Sequence, residues 1–235
     1  ALHAGDYDAA EGYLQASLEL NARSAVLSDG FYEQGRGDWA AAREYALARL
    51  EKELPSELTY HNLWHTRDDV LPAVQRLAAL MGLGEDETHL LETAAVFHDL
   101  GFIVRRQEHE RLGAEIAARV LPGFGFTLGQ IATIQGMIMA TQLPQSPRTP
   151  LEEILADADL DVLGREDFGR RNGGLREELA ASGTQLDDQR WFASQLQVLR
   201  RHRYWTAAAR SLRDCGKEKN IEAMEALLTS QQSPG

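Results

Sequence analysis

Tyr60-His61-Asn62-Leu63-Trp64-His65 decides how this 235-residue chain is read. His61 and His65, if helical, share one face, because a helical turn takes about 3.6 residues. Two later stretches carry the same kinds of side chain: Phe97-His98-Asp99 and Asp157-Ala158-Asp159-Leu160. Each begins or ends a segment with helical periodicity. His98-Asp99 follows the apolar positions Leu90, Leu91, Ala94 and Ala95. Polar groups buried there cost free energy unless they bind something. In the third stretch, Leu151, Leu155, Ala158 and Val162 form an apolar stripe with Asp159 beside it. Asp159 is therefore the carboxylate expected to point inward, with Asp157 and Asp161 on a solvated flank. Imidazoles and carboxylates gathered from separate helices suit a divalent metal ion.

The flanking segments read as helices. Tyr60–Leu80 has Val70, Val74, Leu77 and Leu80 at helical spacing, with Pro72 predicting a kink or a late start. Asp86 is the expected cap of the next helix, which Gly101 closes. Glu108–Leu121 stops at Pro122-Gly123, and the apolar Thr127–Gln142 is expected to be central. Thr149-Pro150-Leu151-Glu152 is a start signal with a capping Thr, Pro at the first position and Glu completing a capping box. That helix should run to Gly164. Residues 165–186 are polar and contain glycine, so a loop or short helix is expected. Trp191–Arg213 and Lys217–Ser230 read as two closing helices. No alternating strand pattern occurs, and the fold class is all-α.

Composition narrows the function. Apolar residues make up 43% of the chain, enough for a sizeable core, and the net charge of −12 argues against a surface that coats nucleic acid. A small anionic substrate is compatible with that charge, because a bound metal dominates its local field. Cys215 is the only cysteine, so no disulfide forms within the chain and a reducing cytoplasm fits. Cys215 itself is read as a packing residue. No apolar run approaches ~20 residues, so no membrane span is expected. No signal peptide is read at the start.

Residues 1–53 contain an echo. Gly5-Asp6-Tyr7-Asp8-Ala9-Ala10 recurs 32 residues on as Gly37-Asp38-Trp39-Ala40-Ala41-Ala42. This segment resembles tetratricopeptide repeats, in which helix pairs stack on their neighbours. It implies a helical hairpin before the main domain, and a surface for a protein partner or self-association. An ordinary Ala-rich hairpin is the plainer alternative.

The order Tyr60-His61-Asn62-x-x-His65, Phe97-His98-Asp99, Ala158-Asp159-Leu160 resembles the HD-domain superfamily of metal-dependent phosphohydrolases. The opening motif is also similar to that of cyclic-nucleotide phosphodiesterases. The resemblance implies an HD-type helical domain over residues 54–230. It implies that His65, His98, Asp99 and Asp159 ligate one divalent ion (Mn, Fe, Co, Zn or Mg). It makes His61 a general acid beside the ion and places Asp99 and Glu110 among the catalytic groups. His109 or Glu110 would meet a water at the metal. Superfamily members with two tightly held metals supply further histidines between the His-Asp pair and the last Asp. Here residues 100–156 contain only His109, so a second ion is expected to be weak or absent. The implied activity is hydrolysis of a small phosphate ester, nucleotide-like as a first guess. The alternatives are a binding or regulatory module with a structural metal, and a di-iron oxygenase of the same fold. Arg105, Arg106, Lys217 and Asn220 are weighed as phosphate contacts against plain surface charge. His3, His89 and His202 are read as structural.

Overall fold

A computed structural model describes residues 37–230. Among them are helices α1 (Trp39–Glu53), α2 (Leu71–Met81), α3 (Glu85–Phe97), α4 (His109–Val120), α5 (Leu128–Ala140), α6 (Pro150–Asp159), α7 (Phe168–Ala181), α8 (Asp188–Arg201) and α9 (Ala207–Ser230). No strand occurs among the described residues, so the all-α expectation holds. The first copy of the echo, and His3, lie outside the described residues.

The second copy forms α1. Asp38 caps it by accepting from the Ala41 N–H at 3.0 Å. Ala42, Ala46 and Leu50 recur every four residues and are fully buried in the same core as α2–α6. Trp39 stacks on His89 at 4.3 Å, and Tyr45 on Phe97 at 6.4 Å. The central α5 buries Ile131, Ile134, Met137 and Ile138, as its composition predicts.

Pro72 acts upstream of itself. It lacks an N–H, and its ring crowds the carbonyl four residues back. The chain answers with a widened π-turn over His65–Val70, in which the Leu71 N–H reaches Thr66 O. Helix α2 then begins with Pro72 in its first turn. His65, Thr66, Asp69 and Val70 are all buried there.

Four local expectations are corrected. Helix α3 starts at Glu85 after Gly84 rather than from an Asp86 cap, and Glu87 reaches back to the Gly84 N–H at 3.3 Å. Thr149 does cap α6, but Glu152 accepts from the Arg148 N–H instead of closing the box. Residues 168–181 form a full helix. The expected helix 191–213 breaks after Arg201, because Thr206 caps a new helix through the Ala209 N–H at 3.0 Å.

Helices α8 and α9 close over a second core of Tyr60, Val162, Leu163, Phe168, Leu196, Leu199 and Met224. Helix α9 crosses the short turn Asp161–Gly164 at contact distance. A Cβ on Gly216 would overlap the Gly164 carbonyl oxygen, and one on Gly164 would overlap the Arg213 backbone. Gly216→Ala should cost about 1–3 kcal/mol, read as a lower urea midpoint.

His202 sits in the break between α8 and α9, against Tyr204 at 4.5 Å, and neither ring nitrogen has a partner. Burial, helped by the Lys217 charge, lowers its pKa to about 4. The unfolded chain takes up that proton near pH 6.5. Stability is thus lost as pH falls from about 6.5 towards 4. His202→Leu should flatten that loss, as measured by urea denaturation at several pH values.

Candidate metal centre

Three elements deliver the cluster. His65 opens the π-turn, His98 follows the last residue of α3, and Asp159 ends α6. One ligand-type atom from each lies within 4.8 Å of the others. His65 Nε2 is 3.3 Å from Asp159 Oδ1, and His98 Nε2 is 3.5 Å from the same oxygen. Asp99 joins them, its Oδ2 lying 3.3 Å from His98 Nε2 and 3.7 Å from His65 Nε2. The four residues expected to ligate a metal therefore meet.

Their hydrogen bonding suits a cation. His98 Nδ1 is 2.7 Å from the Ala95 carbonyl, which holds one proton there, so Nε2 is the nitrogen that a second proton or a metal ion would take. His98 Nε2 and Asp99 Oδ2 are buried without a hydrogen-bond partner. Such orphans are costly unless something absent from the polypeptide satisfies them. Burial opposes ionisation of Asp99 and Asp159, but His98 beside the first, and His65 and His98 beside the second, hold both well below the usual carboxylate range. Burial likewise opposes charge on His65 and His98, yet the surrounding carboxylates raise both. Protons and a metal ion compete for these nitrogens.

An outer layer orients the cluster. His65 Nδ1 faces Asp69 Oδ2 at 3.8 Å, and Asp69 is held by Arg165 and by Arg171 Nη2 at 2.7 Å. Arg171 in turn stacks over Trp64 at 4.2 Å. Asp157 and Asp161 are corrected from solvated to buried, because α9 and the 202–206 segment cover that flank. Asp157 accepts from the Trp205 N–H at 2.7 Å and from the Thr206 N–H and hydroxyl at 2.8 Å. Asp161 takes a two-pronged bond from Arg213, at 2.7 and 2.9 Å, and a third from Arg76.

His61 lies beside the cluster, its ring 6.0 Å from that of His65. Its Nδ1 is 2.6 Å from Glu178 Oε1. Glu178 also accepts the Tyr60 and His61 N–H groups, each at 2.8 Å, and pairs with Arg106. Burial pushes this carboxyl up, but the His61 hydrogen bond and the backbone donors bring it down to about 2. Nothing in the sequence pointed to Glu178, which lies in the segment expected to be a loop or short helix. Phe102 stacks on His61 at 4.6 Å and packs against His109 at 4.0 Å. Glu110 is buried, its Oε2 3.5 Å from His109 Nδ1.

The other candidates are placed elsewhere. Arg106 is taken by Glu178, and Arg105 pairs with Glu108 at the surface. Lys217 is buried with Nζ donating to the His202 carbonyl at 2.9 Å, and Asn220 donates to the Leu163 and Arg165 carbonyls. Cys215 is exposed rather than packed.

Residues 71–161 match the family model described as "HD domain". The matched stretch spans the elements from α2 to the turn after α6. The fold as a whole is similar to the crystal structure of a "predicted HD superfamily hydrolase" from an uncultured Thermotogales bacterium. The two share 20% identity at a TM-score of 0.54, over 80% of this chain and 92% of that one. No curated protein matches the chain. No helix among the described residues is long and apolar enough to cross a membrane.

If Asp69 orients His65, Asp69→Asn should lower Mn2+ affinity about 10- to 100-fold, measured by equilibrium dialysis.

Proposed function

We propose that the protein is a metal-dependent phosphohydrolase acting on a small phosphate mono- or diester, with a nucleotide or nucleotide-like metabolite as the first substrate class to test. The carrying observation is the convergence of His65, His98, Asp99 and Asp159 with His61 beside them, the last three of the four falling within the stretch that matches the HD domain. The likeness to a predicted hydrolase adds support at the level of the fold.

In this reading His65, His98, Asp99 and Asp159 hold one divalent ion (Mn, Fe, Co, Zn or Mg). When bound, such an ion neutralises phosphate charge and makes water a stronger nucleophile near neutral pH. The orphaned His98 Nε2 and Asp99 Oδ2 fit that demand. Among the described residues His65, His98 and Asp159 form the one group of three or more that could hold a metal, which favours a single firmly held ion. His61 acts as general acid. Glu178 fixes its Nδ1, leaving Nε2 to deliver a proton to the departing ester oxygen. Glu178 is a positioning residue, and Arg106 balances its charge rather than meeting substrate. Glu110, behind His109, supports the site from the start of α4. An N-terminal protein-binding surface remains a separate proposal.

The wild-type protein loaded with Mn2+ should turn over bis(4-nitrophenyl) phosphate or 4-nitrophenyl phosphate. His98→Ala should lose both metal and turnover while its circular dichroism is unchanged; full activity in that variant would sink the reading. His61→Gln should keep its metal but lose about 100- to 10,000-fold in kcat. A screen of phosphorylated metabolites against the loaded protein then names the substrate.

A further inference from the structure

We propose that α7 couples the metal centre to His61: occupation of His65 firms the docking of the helix through Asp69, and the docked helix holds His61 through Glu178. This rests on the metal site of the reading above and not on its phosphohydrolase chemistry. Arg171 and Glu178 are about two helical turns apart and share one face of α7. Arg171 Nη2 donates to Asp69 Oδ2 at 2.7 Å. The same oxygen faces His65 Nδ1 at 3.8 Å, and that buried nitrogen has no hydrogen-bond partner among the described residues. One helical face thus reaches the carboxylate behind a metal ligand and the carboxylate that holds the acid. Glu178 Oε1 lies 2.6 Å from His61 Nδ1, and Oε2 accepts the Tyr60 and His61 N–H groups at 2.8 Å. Between the two anchors the Thr59 hydroxyl donates to the Gly174 carbonyl at 2.7 Å.

The helix depends on these contacts. Its buried residues are Phe168, Arg171, Asn172 and Glu178, of which only Phe168, at its first position, is apolar. Leu175 adds partial packing on the second core. Gly169, Gly173 and Gly174 each weaken the segment as a helix. Gly174 has a packing reason, since a Cβ there would lie 3.3 Å from the Thr59 carbonyl oxygen. A Cβ on Gly169 or Gly173 would meet nothing within 4 Å. Those two glycines therefore loosen α7 without serving its packing. A segment with little buried apolar surface opens locally at low cost.

An imidazole that gives one nitrogen to a metal offers the other to a carboxylate, and the two contacts support each other. Asp69 held in this way is a firmer anchor for Arg171. Arg165, the other arginine on Asp69, lies before the helix. A stronger anchor at Arg171 lowers the fraction of open α7 and so secures Glu178 on His61. By linkage, opening of α7 weakens the metal by the same factor. The acid is then held most firmly when the metal is in place.

Hydrogen exchange of the whole chain, read by mass spectrometry with and without saturating Mn2+, tests the coupling. In wild type, Mn2+ should slow the α7 amides after Arg171 by about 5- to 150-fold, and the Tyr60 and His61 amides with them. Arg171→Met cuts the link at α7 and leaves the four metal ligands in place. In that variant Mn2+ should still slow the ends of α3 and α6 but leave α7, Tyr60 and His61 unchanged. Asp69→Asn cuts the same link from the other side and is the variant to use if Arg171→Met unfolds. Unchanged α7 exchange in loaded wild type, or equal slowing in the variant, would overturn the coupling while leaving the metal site intact. Failure of wild type to bind Mn2+ defeats the metal site, and the coupling with it. Turnover is not the readout, so the phosphohydrolase chemistry stands or falls separately.

Discussion

Gathering two carboxylates and two imidazoles at one point, all buried except the partly exposed Asp159, is the constraint on which this molecule depends. A carboxylate removed from water is costly unless it is paired, and here Asp99 and Asp159 face mainly His65 and His98. The arginines that could neutralise them lie one layer out. Arg165 and Arg171 are spent on Asp69, Arg76 and Arg213 on Asp161, and Arg106 on Glu178. Among the described residues, the inner pair of carboxylates therefore has no guanidinium of its own. Among the described residues, the outer carboxylates Asp69, Asp161 and Glu178 are each paired with arginine, and the inner ones face imidazoles.

Helix α6 shows how the outer layer is built. Asp157, Asp159 and Asp161 alternate along a helix end, and each faces a different demand. Asp159 looks into the cluster. Asp157 takes the free N–H groups at the start of α9, and Asp161 clasps α9 and α2 through two arginines. A rotation of α6 that moved Asp159 would break both anchors. The C-terminal helices thus act on the centre through the backbone that carries its last ligand, and the Gly164–Gly216 contact sets how closely they approach.

The legible part of the site was the part written in helical periodicity. Asp159 could be placed because its own stripe, Leu155, Ala158 and Val162, is apolar on one side. Asp157 and Asp161 could not, since a periodic pattern describes one helix and not the helix that covers it. Glu178 left no trace, as its partners lie 72, 117 and 118 residues away and it is held by charged hydrogen bonds instead of apolar side chains. The same polar composition, with Gly173-Gly174, made 165–186 resemble a loop. The break at His202 was hidden because its cause, Asp157 binding the 205–206 backbone, is 48 and 49 residues distant in sequence.

Position along the helices adds a field that no single residue supplies. His98 follows the last turn of α3, and Asp159 ends α6, so both helices present their C-terminal ends to the cluster. The peptide dipoles of a helix leave about half a negative charge at that end. Two such ends meeting at one point disfavour an anion and favour a cation, even before the carboxylates are counted. His65 enters from the π-turn, where the widened backbone forced by Pro72 buries the ring instead of leaving it on a helix surface. On the proposed reading, a divalent ion would offset much of this local negative charge before an anionic ester approached.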